Sequence, residues 1–124
     1  MKPTILIADD DPAGRKVIES VLVNQGYELE YAANGREVLK KASELKPDLI
    51  LLDIMMPEMD GMEVCERLRK DPDLAGVPVV MVTALDDRNT RIASLDAGAD
   101  DFITKPFSPN ELSVRVKKLL LKSV

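Results

Sequence analysis

The 124-residue chain carries 17 Lys and Arg against 22 Asp and Glu, with 45% apolar and 31% charged residues. That is the balance of one ordinary globular domain, residues 1–124, long enough for a sizeable core. The net charge of −5 argues against direct nucleic-acid binding, which calls for a basic surface. With no histidine and one cysteine, Cys65, the chain has no Ser-His-Asp or Cys-His triad, no His-ligated zinc and no internal disulfide, and a reducing cytoplasm is its expected location.

No apolar run approaches the ~20 residues needed to span a bilayer. The opening MKPTILIADDD has too short an apolar stretch for a signal peptide, and acids follow it at once. Along the chain, short apolar strands alternate with segments of helical period. TILIA (4–8) reads as a strand. Asp11 is placed as a helix N-cap with Pro12 at the first helical position. Gly14, Val17, Ile18, Val21 and Leu22 recur on one face, and Gly26 is placed as the left-handed helix end. ELEYA (28–32) alternates as a second strand. Asn34, with Glu37 three residues on, opens a helix whose buried face is Val38, Leu39, Ala42 and Leu45.

DLILL (48–52) is continuously apolar, as a strand covered on both faces should be, and it ends at Asp53. The loop IMMPEMDG follows. Asp60 and Glu63 then open a helix burying Met62, Cys65 and Leu68. PVVMV (78–82) forms the fourth strand and ends at Thr83. LDDRN starts a fourth helix, expected to bury Ile92 and Leu95 and to stop at Gly98. DFIT (101–104) is the fifth strand and ends at Lys105-Pro106. Ser108, Pro109 and Glu111 are a helix start, and Leu112, Val116, Leu119 and Leu120 are the core stripe behind it. Val114 and Leu121 form a second apolar stripe on that helix, available to a partner. Asp86-Asp87 reads as a helix cap and Asp100-Asp101 as a solvated turn.

Five βα units in a row predict an α/β fold: a flavodoxin-like, doubly wound parallel sheet of strand order 2-1-3-4-5. In such sheets ligands sit beyond the carboxyl ends of the strands. Those ends read Asp9-Asp10-Asp11, Asp53, Thr83 and Lys105. Three adjacent carboxylates at a strand end repel one another, and an all-oxygen set without imidazole suits a hard cation such as Mg2+, which offsets that repulsion. A threonine hydroxyl and a lysine ammonium suit phosphoryl oxygens, and a carboxylate can act as nucleophile to give an aspartyl-phosphate.

ADD at 8–10, LLDIMMPEMDG at 51–61, VTA at 82–84 and FITKPF at 102–107 resemble, in order and over nearly the full chain, the receiver domain of two-component response regulators. The resemblance implies Asp53 as phosphoacceptor. Asp10 would bind Mg2+ directly, Asp9 through water, and Met55 through its backbone carbonyl. Lys105 would pair with Asp53 and then with the phosphoryl group, across a cis peptide bond to Pro106. Thr83 would move toward the phosphoryl oxygens, and Phe102 matches the aromatic position that turns inward with it. The backbone N–H groups of Met55 and Ala84 would complete the phosphate cradle, leaving Asp11 as a helix cap.

The implied partners are a sensor histidine kinase or histidine phosphotransferase as donor and an output protein or C-terminal effector domain as reader. A homodimer through the surface of helix four, strand five and helix five is a further expected partnership. No direct nucleic-acid or membrane contact is expected. The chain would be a switch, not an enzyme, beyond phosphorylating and slowly dephosphorylating itself. The slow loss follows from apolar Met55 and Leu85 at the two positions that influence water attack in the family. VTALDDRN and FITKPF are also similar to receivers found ahead of diguanylate cyclase domains.

Three other readings compete. A phosphatase of the haloacid dehalogenase type also uses an Asp nucleophile with Mg2+, but it needs a second acid where Met55 stands. A flavodoxin-like FMN carrier would face three acids in its phosphate loop. A degenerate receiver, binding partners without phosphate, would not need the full motif set.

Overall fold

The computed structural model describes residues 2–122, and in it strands and helices alternate without exception. The order is β1 (Thr4–Ala8), α1 (Pro12–Leu22), β2 (Glu28–Ala32), α2 (Gly35–Leu45), β3 (Leu49–Leu52), α3 (Gly61–Lys70), β4 (Val79–Thr83), α4 (Arg88–Asp96), β5 (Asp101–Thr104) and α5 (Pro109–Lys122). All strand pairs are parallel, and the sheet runs β2-β1-β3-β4-β5, the predicted order with its switch between β1 and β3.

Side chains of a strand point alternately to opposite faces, and this divides the core in two. Leu6, Ile50, Leu52, Val79 and Met81 face one way, onto Val38 and Ala42 of α2 and Val64, Cys65 and Leu68 of α3. Ile5, Ile7, Leu49, Leu51, Val80 and Val82 face the other way, onto Ile18 and Leu22 of α1 and Leu112, Val116 and Leu119 of α5. The central strands are apolar on both faces because helices cover both.

Helix starts follow the predicted caps. Asp11 accepts from the Ala13 N–H, Asn34 from Glu37, Asp60 from Glu63 and Asp87 from Thr90. Ser108 Oγ accepts from the Glu111 N–H at 3.1 Å.

Several expectations are corrected. Ile92 and Leu95 are 47% and 55% exposed, because α4 turns Thr90, Ser94 and Ala97 inward instead. Those residues lie three and four apart on one face, and their small size lets the helix lie close to a sheet face that α3 already fills. Val17 is 54% exposed, at the margin of the α1 stripe, and Leu45 is exposed at the last turn of α2. Met62 is only partly buried, packed against the core edge. Gly26 has φ +87°, but α1 ends earlier, with Val23 as a right-handed cap, so this glycine serves the turn into β2. Of Asp100-Asp101, Asp100 is an exposed bend as expected, but its carboxylate is engaged and Asp101 belongs to β5. Asp100 Oδ2 accepts from the Val79 N–H at 2.8 Å and from Arg69 at 2.9 Å, and Asp101 opens β5 paired with Arg115 at 2.5 Å.

Candidate functional site

Register brings the first two acids together. Ala8 stands opposite Leu52, so the next residue on each strand, Asp9 and Asp53, leaves the sheet side by side. The Asp53 N–H donates to the Ala8 carbonyl at 2.9 Å and the Asp9 N–H to the Ala32 carbonyl at 3.1 Å, which carries the ladder one step past the strand ends. Thr83 pairs with Thr104, and the following residue, Lys105, donates its N–H to the Thr83 carbonyl at 2.8 Å. The Lys105-Pro106 peptide is cis.

The side chains then meet. Lys105 Nζ donates to Asp9 Oδ2 at 2.6 Å and to Asp53 Oδ2 at 3.0 Å. Asp53 Oδ1 accepts from the Met55 N–H at 3.0 Å, and Asp9 Oδ1 from the Asp11 N–H at 2.9 Å. Asp9 is 1% and Asp53 8% exposed. Two buried carboxylates this close require a cation between them, since burial strengthens their repulsion. Burial alone would push the Lys105 ammonium below its usual pKa; hydrogen bonds to Asp9 and Asp53, and their charges, outweigh it and hold the value above normal.

Thr83 is fully buried, and its Oγ1 accepts from the Leu85 N–H at 3.4 Å. Two glycines keep the site compact. A Cβ on Gly61 would come within 2.5 Å of the Asp53 carbonyl oxygen, and one on Gly14 would overlap Asp9 Oδ2. Both helices therefore approach the acids more closely than a side chain allows.

Asp10 differs from its neighbours. It is exposed, and among the described residues its carboxylate has no hydrogen-bond partner. It lines a recess of about 450 Å³ with Met55, exposed at the edge of the site, and with Ile54, Met56, Pro57, Asp60 and Leu85. Among the described residues no group of three or more Cys, Asp or Glu side chains is arranged to hold a metal ion. Mg2+ typically keeps several waters and uses one or two carboxylates. An unpartnered Asp10 lining a recess with Met55, and Asp53 at the adjacent strand end, offer the kind of sparse oxygen donors that fit it.

Phe102 is half-buried, its ring 5.1 Å from the Arg91 guanidinium carbon. Arg91 Nη2 in turn binds Asp86 at 2.6 Å and Thr104 Oγ1 at 3.1 Å, so the loop after β4 is tied to β5 across that ring.

Three features escaped the sequence. Lys105 bridges both acids, where the sequence pairs it with Asp53 alone. Arg15 Nη1 donates to the Asp9 carbonyl at 2.5 Å. Arg69 clamps the lower rim through the Gly98, Ala75 and Val77 carbonyls. The Gly that follows Asp60 was a usable signal for the close approach of α3. The two arginines offered none, because helical spacing alone does not say which backbone carbonyl a long side chain reaches.

Comparison with known proteins agrees with this fold. The family model described as the response regulator receiver domain matches residues 5–117. The chain is 45% identical over 121 residues to the DNA-binding dual master transcriptional regulator RpaA of Synechocystis sp., covering 98% of this chain and 50% of that protein. It is 43% identical over 123 residues to the alkaline phosphatase synthesis transcriptional regulatory protein PhoP of Bacillus subtilis, covering 99% and 50%. The chain thus spans about half the length of these curated relatives. Among solved structures, the signal receiver domain of a signal transduction histidine kinase from Syntrophus aciditrophicus superposes with a TM-score of 0.90 at 42% identity, covering 97% of this chain and 91% of that one.

Proposed function

The chain belongs to the response regulator receiver domain family, and from that premise we propose that it is switched by accepting a phosphoryl group on Asp53 from a partner's phosphohistidine. The observation that carries this reading is the setting of Asp53. It is a nearly buried carboxylate at the rim of the sheet, tied to Lys105 Nζ at 3.0 Å and the Met55 N–H at 3.0 Å, beside a recess that opens to solvent.

In the transfer a carboxylate oxygen of Asp53 forms a bond to phosphorus while the bond from phosphorus to the imidazole nitrogen breaks, and the nitrogen keeps that electron pair. Asp10, Asp53 and the Met55 carbonyl are the groups that would hold Mg2+, with Asp9 acting through water. Once bound, the ion supplies positive charge against which two anions can meet. Lys105 is the resident cation and follows the new phosphoryl oxygens. The N–H groups of Met55 and Ala84 and the hydroxyl of Thr83 are further donors.

Phosphorylation takes the site from about −1 to about −2 and adds acceptor oxygens. Thr83 and Lys105 then gain stronger partners than they have now. Both lie at the strand ends that lead into the loops after β4 and β5, so the α4–β5–α5 surface changes with them, a two-state element biased by local charge. That surface carries Arg91, Asp101 and Arg115 as well as exposed Ile92, Leu95 and Val114. Its reader is an output domain, an output protein or a second copy of the chain.

The output we favour is transcriptional, because the relatives are named as transcriptional regulators; neither is named as a diguanylate cyclase. DNA contact would then belong to the regulator as a whole. Met55 and Leu85 cannot hydrogen-bond an attacking water, so the phosphoryl group should outlast a lifetime of seconds; loss of label from the purified phosphoprotein measures this. The test of the whole reading is intact mass after acetyl phosphate treatment. One phosphoryl group should appear on the wild type with Mg2+ and none with EDTA or on Asp53→Ala. Equal modification of Asp53→Ala would overturn it.

A further inference from the structure

The acids at the end of β1 are fixed very unequally. Asp9 is held at every polar atom: its N–H by the Ala32 carbonyl at 3.1 Å, its Oδ1 by the Asp11 N–H at 2.9 Å and its Oδ2 by Lys105 at 2.6 Å. Asp11 is held by its own cap to the Ala13 N–H at 3.0 Å. Asp10, between them, has no side-chain partner among the described residues. Its backbone sets where the Cα–Cβ bond points, and no side-chain contact among the described residues adds to that control.

The peptide unit leading into Asp10 is planar, so fixing its carbonyl fixes its plane. That carbonyl belongs to Asp9, and one side chain reaches it: Arg15 Nη1, at 2.5 Å. Arg15 is half-buried in the first turns of α1, itself anchored by the Asp11 cap and by the core residues Ile18 and Leu22. We propose that Arg15 is a positioning residue for the cation site: by holding the Asp9 carbonyl it aims the Asp10 carboxylate at the ion. The inference rests on the reading of Asp10 as a Mg2+ ligand given above.

The sign of the effect separates positioning from simple charge. Arg15 is a cation beside three acids, so its plain electrostatic influence is to repel Mg2+, and deleting it would tighten binding. If its role is to orient Asp10, deleting it loosens binding, as loss of a group that orients a metal ligand typically does, by ~10-fold or more.

The experiment titrates the chain with MgCl2 by isothermal calorimetry, with no phosphodonor present, for wild type, Arg15→Ala, Arg15→Gln and Arg15→Lys. Thermal melts in EDTA report folding of each. Arg15→Ala should raise the Mg2+ dissociation constant about tenfold, and Arg15→Lys, which can still donate to the carbonyl, should recover part of the loss. If Arg15→Ala unfolds, Arg15→Gln carries the comparison. An unchanged or lower dissociation constant in the folded variant overturns the positioning role while leaving Asp53 as acceptor intact. Failure of the wild type itself to bind Mg2+ overturns the metal reading and this inference together.

Discussion

At the scale of single residues the site is an exercise in charge balance. Asp9 and Asp53 are buried within reach of one ammonium, and Asp10 adds a charge with no partner. Two consequences are measurable. Asp10→Asn removes a repelling charge and breaks no hydrogen bond, so in EDTA it should melt a few degrees above wild type. Mg2+ should then stabilise the wild type and not the variant, since an ion raises the melting temperature only where it binds the folded state. Equal Mg2+ stabilisation of both would contradict the role given to Asp10.

The second consequence concerns alkaline pH. The Lys105 ammonium is held above its usual value, and the Tyr31 hydroxyl is pushed up to about 12 by burial and by its 2.6 Å hydrogen bond to Glu19. Both groups bind their proton more tightly folded than unfolded. Their contribution is thus complete below the ordinary values of about 10 and is lost as pH rises through the folded ones. Urea melts should show stability falling from pH 10 toward 12, and Tyr31→Phe should flatten part of that fall. A wild type equally stable at both ends would refute the assignment. What the sequence revealed at this scale was residue type at strand ends. It could not reveal that Lys105 serves two acids, because Asp9 and Lys105 are 96 positions apart and only the sheet register joins them.

At the scale of elements, caps and strands were legible because their signals are local: Asp11-Pro12, Asn34 with Glu37 and Ser108-Pro109 each fix a helix start through one side chain and one N–H. The amphipathic reading failed on α4, where Ile92 and Leu95 suggested one face and Ser94 and Ala97 supplied the other. Periodicity reports a face but not whether that face has a core to meet. Here the neighbouring sheet surface is already filled by α3, and α4 is left with Ser94 as its one fully buried side chain. A helix with so few buried contacts opens at low free energy. Amide hydrogen exchange should therefore run faster across Arg88–Asp96 than across Gly61–Lys70, whose Val64, Cys65 and Leu68 are all fully buried. Equal protection of the two would show that α4 is held more firmly than its packing implies. An easily displaced α4 is also what a signalling surface requires.

At the scale of the whole molecule, strand order and strand composition converge. A continuous apolar run such as LILL (49–52) must be covered on both faces, and crossovers of one hand cover both faces only if the strand order reverses, as it does here between β1 and β3. The position of Asp53 beside Asp9 follows from that topology and from the pairing of Ala8 with Leu52, so their adjacency was legible in the order of the strands. The chain spans about half the length of its curated relatives. The central claim is that Asp53 carries the phosphoryl group, and chemical trapping tests it most directly. An acyl phosphate is reduced by borohydride to the alcohol, so the chain treated with acetyl phosphate and Mg2+, reduced, digested and sequenced by mass spectrometry should carry homoserine in place of Asp53. Homoserine at Asp9, Asp10 or any other acid, or a phosphoryl group that survives reduction on a hydroxyl, would contradict it.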